Sequence, residues 1–247
     1  MKPSRRHGIL NRTLFSTLAF LTVTVDVNSR TAVAQTQIVP RARQAVLTLR
    51  ENRTYDFRGG VVRCQPGQQV GIAAESAGNL TLTNVVIEGC EVGIVSAGSG
   101  SKVFAADISN ATVCMLVAGA SSTISHNTAS NCIYGIVVAG RENTITDNES
   151  NDNIADGILV TGDANVITGN QVLRNRGVGI HIVRMVAMTG ENTFVPLLQD
   201  LATDNVLQGN NAADNSVDLE EFGDCSVGLP NTWADNQFRT RRPDCIR

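Results

Sequence analysis

The sequence predicts an all-β solenoid, and three observations carry that expectation. The first is a repeat: Gly135-Ile136-Val137-Val138, Gly157-Ile158-Leu159-Val160 and Gly179-Ile180-His181-Ile182 recur at steps of 22 and 22, with Gly93-Ile94-Val95 and Cys114-Met115-Leu116-Val117 preceding them at steps of 21 and 21. The second is composition: Val and Ile fill the apolar runs, which are too short for helical periodicity, and β-branched side chains suit strands. The third is asparagine in the turns, a residue that tolerates the positive φ of a sharp bend. A unit of about 20–25 residues cannot bury its apolar face alone and must stack on its neighbours.

Spaced leucines are missing, which argues against a leucine-rich repeat and leaves a single-stranded parallel β-helix of about 6–8 coils. Right-handedness follows from the crossover rule for parallel strands. Equivalent residues on successive coils then sit about 4.8 Å apart and form columns. Counting residues puts Asn84, Asn127, Asn148, Asn170 and Asn210 in one asparagine column and Asn110, Asn131, Asn153 and Asn175 in another.

The pattern N-x-I-x-x-N, followed by N-x-x-x-G-I-x and Val160 or Ile182, runs from Asn143 to Val160 and again from Asn165 to Ile182. It resembles the right-handed parallel β-helix repeats of the NosD-like and pectin-lyase-like superfamily, over about residues 79–222. The resemblance implies the fold. For activity it implies a range of polysaccharide lyases, epimerases and hydrolases, together with adhesins and metal-maturation factors.

Taken in order, residues 1–34 read as an export signal: Lys2, Arg5, Arg6 and Arg12 precede the apolar stretch Leu14 to Val25, and Ala32-Val33-Ala34 is a small-x-small cleavage pattern. The apolar stretch is too short to span a bilayer, so the mature chain carries no membrane span and is secreted or periplasmic. Without these residues Lys+Arg falls from 20 to 15 and Asp+Glu from 23 to 22, and the net charge moves from −3 to −7. That acidity excludes nucleic acid as a natural partner. Residues 35–78 form an N-terminal cap and first irregular coil, with Ala42, Ala45, Val46 and Leu49 at helix-like spacing and Tyr55-Asp56-Phe57 before Gly59-Gly60 as strand and turn. Residues 79–222 are the repeats, and residues 223–247 a C-terminal cap.

Six cysteines in an exported chain invite pairing. Cys225 and Cys245 flank the tail and are expected to bridge it, and that tail resembles those closing other exported β-helix proteins. Cys90 and Cys132 share a column but lie two coils apart, beyond disulfide reach. Cys114 falls in a different column. Cys64 with Cys90, or buried free thiols, are both open for the rest.

Two residues after the repeat glycine the column reads Val95, Leu116, Val137, Leu159 and His181, and strand alternation points it outward. An outward apolar stripe must be covered or used. The asparagine column steps by 40 from Asn170 to Asn210, so an insertion occupies about 185–204. It is apolar enough to fold back on the stripe; the alternative is a homo-oligomer contact.

Chemistry is sparsely marked. The N-T-D, D-D, G-H-G and R-x-K motifs of polygalacturonases and the D-P-H-D motif of alginate epimerases do not occur. Asp147, Asp152, Asp156 and Asp163 lie on one coil in four columns, so no calcium ligand cluster is identified, and Arg141 with Asp163 and Arg174 with Asp152 read as inter-coil ion pairs. No other cofactor is evident. The two histidines beyond the signal, His126 and His181, lack the convergent ligands of a metal site. His126 has Asp147 one coil away, an acid/base arrangement. The sharper candidate starts from the insertion: if it is an excursion between stacked coils, Asp218 takes the glycine position and Glu220 falls above His181. With Arg184 nearby and the insertion as a wall, these three would make an acid/base cleft. Three functions stay open: binding or processing of polysaccharide on the outer face, a non-enzymatic scaffold, and a NosD-like role in metal-centre maturation.

Overall fold

The computed structural model describes residues 45–74, 78–183, 186–188, 194–196, 202–221, 225–226 and 228–247. Parallel strands dominate, and they build a β-solenoid of about eight coils. One sheet stacks nine strands, from Ala45–Thr48 through Val113–Ala120, Tyr134–Arg141 and Val178–Val183 to Val217–Glu221 and Arg241–Arg242. Two shorter rows of mostly three-residue strands complete each coil, and the longer strand Thr81–Glu88 joins them into one 13-stranded sheet.

Register confirms the repeat. Ile136 pairs with Met115 and Ile158, and Ile158 with Ile180, so Gly135, Gly157 and Gly179 stack in one column with Gly93 and Cys114. The reason for glycine is steric: a Cβ on Gly135 would collide with Ser150 Oγ and Gly157 O, and one on Gly157 with Val172 Cγ1. Inward residues such as Ile124, Ile145, Ile167, Leu207, Ile136, Ile158 and Ile180 are fully buried in a single axial core. Burying each such side chain is worth about 1.5–3 kcal/mol.

The bends combine two roles on adjacent residues. A residue at positive φ turns the chain, as at His126 (55°), Asp147 (53°) and Asp152 (59°), and a buried asparagine follows it. That asparagine's Oδ1 accepts both the backbone N–H and the Nδ2–H of the asparagine one coil earlier. Three ladders result: Asn127, Asn148, Asn170, Asn210 and Asn236; Asn143, Asn165, Asn205 and Asn231; and Asn153, Asn175 and Asn215. The expected columns therefore need correcting. Asn84, Asn110 and Asn131 hold φ of 56°, 57° and 54° and turn the chain one residue before the ladder position. Both places favour asparagine, one for backbone tolerance and one for its amide, so residue identity alone merges them.

All six cysteines are paired. Cys225–Cys245 forms as expected, Cys64–Cys90 is realised rather than free thiols, and Cys114 bonds Cys132, a pair that column counting did not offer. Column counting compares coils, whereas this bridge lies within one coil, across an interior corner with Cα atoms 5.8 Å apart. Cys114 stands where other coils have glycine, and Cys132 where others have a ladder asparagine.

At the N-terminal end, Ala45–Thr48 is a strand paired with Val70–Ala74, not a helical turn: pairing with an existing sheet edge outweighs the local apolar spacing. Thr54–Arg63 pairs with Thr81–Glu88 through an irregularity between Asp56 and Gly60, where Arg58 and Gly59 adopt positive φ. The export signal lies outside the described residues. So does most of the insertion, within which Val186–Met188 pairs antiparallel with Phe194–Pro196. Among the described residues no helix is long and apolar enough to cross a membrane.

Candidate active site

The outer face of the nine-stranded sheet carries the column Ala73, Val95, Leu116, Val137, Leu159, His181, Glu220 and Arg242, each paired with the next across a strand boundary. Its apolar members are buried, Val95 at 1% and Leu116 at 4% exposure, and pack with Val70, Val92, Val113 and Tyr134 into a second cluster outside the solenoid core. The stripe read from sequence is thus an apolar layer. Whether the insertion forms its cover falls outside the described residues.

Where the apolar run ends, polar chemistry begins. Pairing of Val178 with Val217 and of Ile180 with Leu219 puts Asp218 opposite Gly179 and Glu220 opposite His181, as the insertion argument requires. Glu220 is half-buried and its carboxylate forms no hydrogen bond with a described residue; Arg242, exposed, follows it on the next strand. Arg184 lies outside the described residues.

His181 has a partner that sequence reading missed. Its Nδ1 lies 2.9 Å from Asp156 Oδ2, with side-chain exposures of 18% and 14%. Asp156 is itself held, because its other oxygen accepts the Val178 N–H at 2.8 Å while the neighbouring Gly157 N–H donates to Val178 O. A Cβ on Gly177 would press against Asp156 Oδ1, so glycine there leaves the carboxylate its place. A carboxylate only accepts, so His181 Nδ1 donates and Nε2 is left as the basic nitrogen. The pairing runs diagonally, one coil back and three residues along. Counting within one column cannot find it, although Asp156 next to the repeat glycine is the signal that could have.

The other candidates stay apart. His126 and Asp147 do occupy adjacent coils in one positive-φ column, but Asp147 Oδ2 accepts from Thr146 Oγ1 at 3.1 Å and His126 is exposed, its ring edge-on to Phe104 at 5.2 Å. Arg174 makes the expected two-pronged bridge to Asp152, at 2.8 and 2.7 Å. Arg141 does not reach Asp163; it lies 3.9 Å from Glu142, while Asp163 Oδ1 accepts the Thr203 N–H. Exposed pairs of this kind contribute about 0–1 kcal/mol. Among the described residues no three His, Cys, Asp or Glu side chains gather to hold a metal ion.

Solved structures share this scaffold. The periplasmic alginate epimerase AlgG superimposes with a TM-score of 0.58 at 15% identity, over 79% of this chain and 48% of that one. A tailspike protein of E. coli bacteriophage HK620, solved with a pentasaccharide, aligns with a TM-score of 0.49 at 12% identity, over 81% of this chain and 46% of that one. This chain therefore spans about half the length of the solved proteins it matches. At such identities the likeness concerns the fold alone. No curated protein matches the sequence. A family model described as periplasmic copper-binding protein (NosD) matches residues 51–242, which is most of the chain, and the protein belongs to the NosD family.

Proposed function

We propose that this protein works outside the cytoplasm, binding a polysaccharide at the end of the outer face of its nine-stranded sheet beyond the buried apolar stripe, with His181 as the group able to move a proton there. The observation that carries the reading is the hydrogen bond from His181 to Asp156 in a column where Glu220 and Arg242 follow on adjacent strands. Asp156 orients the imidazole and fixes its tautomer, Glu220 supplies a second carboxylate one strand away, and Arg242 offers a cation for an acidic group on the ligand. Three disulfides and a family named for the periplasm support the location. The test is a screen of uronan and neutral glycans for binding, depolymerisation and epimerisation, repeated with His181→Gln and Glu220→Gln. Loss of binding or product in the variants with unchanged melting supports the reading. Activity unchanged in both, or no glycan recognised by the wild type, sinks it.

A second reading, metal-centre maturation, is favoured by the family's copper-binding description. The residues fit it poorly. All six cysteines are locked in disulfides and provide no thiolate, the two described histidines stand in different columns, and among the described residues no third donor joins either. A Cu(I) and Cu(II) titration of the mature protein decides it: stoichiometric binding tighter than micromolar favours maturation, and its absence favours the glycan reading.

A further inference from the structure

The asparagine ladders have a direction. In every rung the backbone N–H and one Nδ2–H point toward the C-terminal end and are received by the Oδ1 of the next coil, as Asn170 donates to Asn210 at 3.0 and 2.9 Å. Aligned amide dipoles leave donors, hence positive potential, at the last rung, as backbone N–H groups do at other anion-binding concavities. How each ladder ends is therefore informative. The one ending at Asn215 meets a carboxylate: Asp218 Oδ1 accepts both its N–H and its Nδ2–H at 3.1 Å. The one ending at Asn231 also meets a carboxylate, with Glu221 Oε2 accepting Nδ2–H at 2.9 Å. The longest ladder ends at Asn236, where one Nδ2–H goes to Leu207 O. Among the described residues nothing accepts its N–H or its remaining Nδ2–H.

Asn236 lines an open cavity of about 770 Å³ with Gln237, Phe238, Arg239, Thr240 and Arg241. Arg239 is committed to Asp214 at 2.7 Å. Arg241 has no carboxylate partner among the described residues and sits with its guanidinium 5.3 Å from the centroid of the Phe238 ring. The Asp244 carboxylate on the same rim makes no bond to Asn236.

We propose that this cavity binds the carboxylate of a small hydroxy acid or sugar acid, which completes the third ladder from outside as Asp218 and Glu221 complete the other two from within. The carboxylate accepts the two free donors of Asn236 and pairs with Arg241, while Gln237 and Thr240 offer partners for hydroxyl groups. The site lies on the end coil and uses none of the side chains of the His181 column, so it stands or falls independently of the glycan reading.

The experiment is an amide-resolved NMR titration of the mature protein with glucuronate, acetate and neutral glucose. Saturable shifts of the Asn236 backbone and side-chain amide signals with glucuronate, absent with glucose, are expected. Arg241→Gln should weaken them about tenfold without changing the melting temperature, since a hydrogen bond to a charged group is worth that much. Glucuronate binding tighter than acetate supports the proposal, whereas equal affinity for acetate shows that the hydroxyl contacts do not form and overturns it as a site for hydroxy or sugar acids. Absence of a saturable shift at Asn236 with both acids, or an Arg241→Gln variant that binds as well as wild type, overturns it.

Discussion

Asn215 gives both its backbone N–H and its side-chain Nδ2–H to Asp218 Oδ1, the same two-pronged grip by which Asn175 holds Asn215 one coil earlier. A residue three positions along the chain thus takes the acceptor role that an asparagine one coil on fills elsewhere in the ladder. The second oxygen of Asp218 receives the N–H groups of Arg239 and Thr240, so one buried carboxylate ties the end of a ladder to the last coil.

Asp218→Ala should therefore destabilise the fold by at least about 1–3 kcal/mol, the cost of leaving a buried hydrogen-bond donor unsatisfied. Burial opposes the charge on Asp218, yet the backbone N–H groups of Arg239 and Thr240, with Asn215, hold its pKa below the ordinary value. A lowered folded-state pKa contributes stability above the unfolded pKa and loses it as pH falls through the folded one. Acid denaturation followed by circular dichroism should show a steep loss below about pH 4 in the wild type and a shallower acid limb in Asp218→Asn.

Glu221 behaves in the opposite sense. Burial pushes its carboxyl above the usual range, only partly offset by Trp233 Nε1–H at 2.8 Å and Asn231, and its buried Oε1 has no partner among the described residues. A raised folded-state pKa gives stability that is full below the unfolded pKa and is lost as pH rises through the folded value. Glu221→Gln keeps an acceptor for both donors and cannot ionise. Its melting temperature should exceed wild type by a few degrees at pH 7.5 and match it near pH 4; an equal or lower value at pH 7.5 contradicts this account.

The Cys114–Cys132 bridge replaces a glycine and a ladder asparagine found together in the following coils. Closing a sequence separation of 18 residues is worth about 3 kcal/mol. Cys114→Ala with Cys132→Ala should lose about that much. Cys114→Gly with Cys132→Asn should recover a good part of it, because an asparagine at 132 can accept the Ala111 N–H, which now points at Cys132 Sγ, and its own N–H already reaches Asn153 Oδ1. Urea unfolding of the two double variants measures the difference.

Gly157→Ala tests the corner packing. The added methyl would overlap Val172 Cγ1 and approach Asn175 Nδ2 at 2.6 Å and the Gly179 carbonyl at 2.9 Å. Two of these are ladder or backbone atoms that cannot yield, so a loss of about 1–3 kcal/mol is expected in chemical denaturation.

The sequence by itself determined the solenoid, its glycine column, the position of the insertion and the register that sets Glu220 opposite His181, because a strict repeat turns spacing along the chain into stacking in space. Cys225–Cys245 was legible for a related reason, as two cysteines bounding a terminal cap. Tertiary structure alone decided what lies off the columns. His181 meets Asp156 by a diagonal step, Cys114 meets Cys132 across the inside of one coil, and Glu221 reaches Asn231 and Trp233 on the following turn. Such contacts depend on how side chains lean at the corners and on what the closed coil brings together in its interior, and a one-dimensional period carries neither. The asparagines mark the boundary between the two kinds of information: the repeat announced two columns of them, but the third ladder through Asn143, Asn165, Asn205 and Asn231, and whether each residue turns the chain or extends a ladder, were settled by φ and by the amide that lies one coil away.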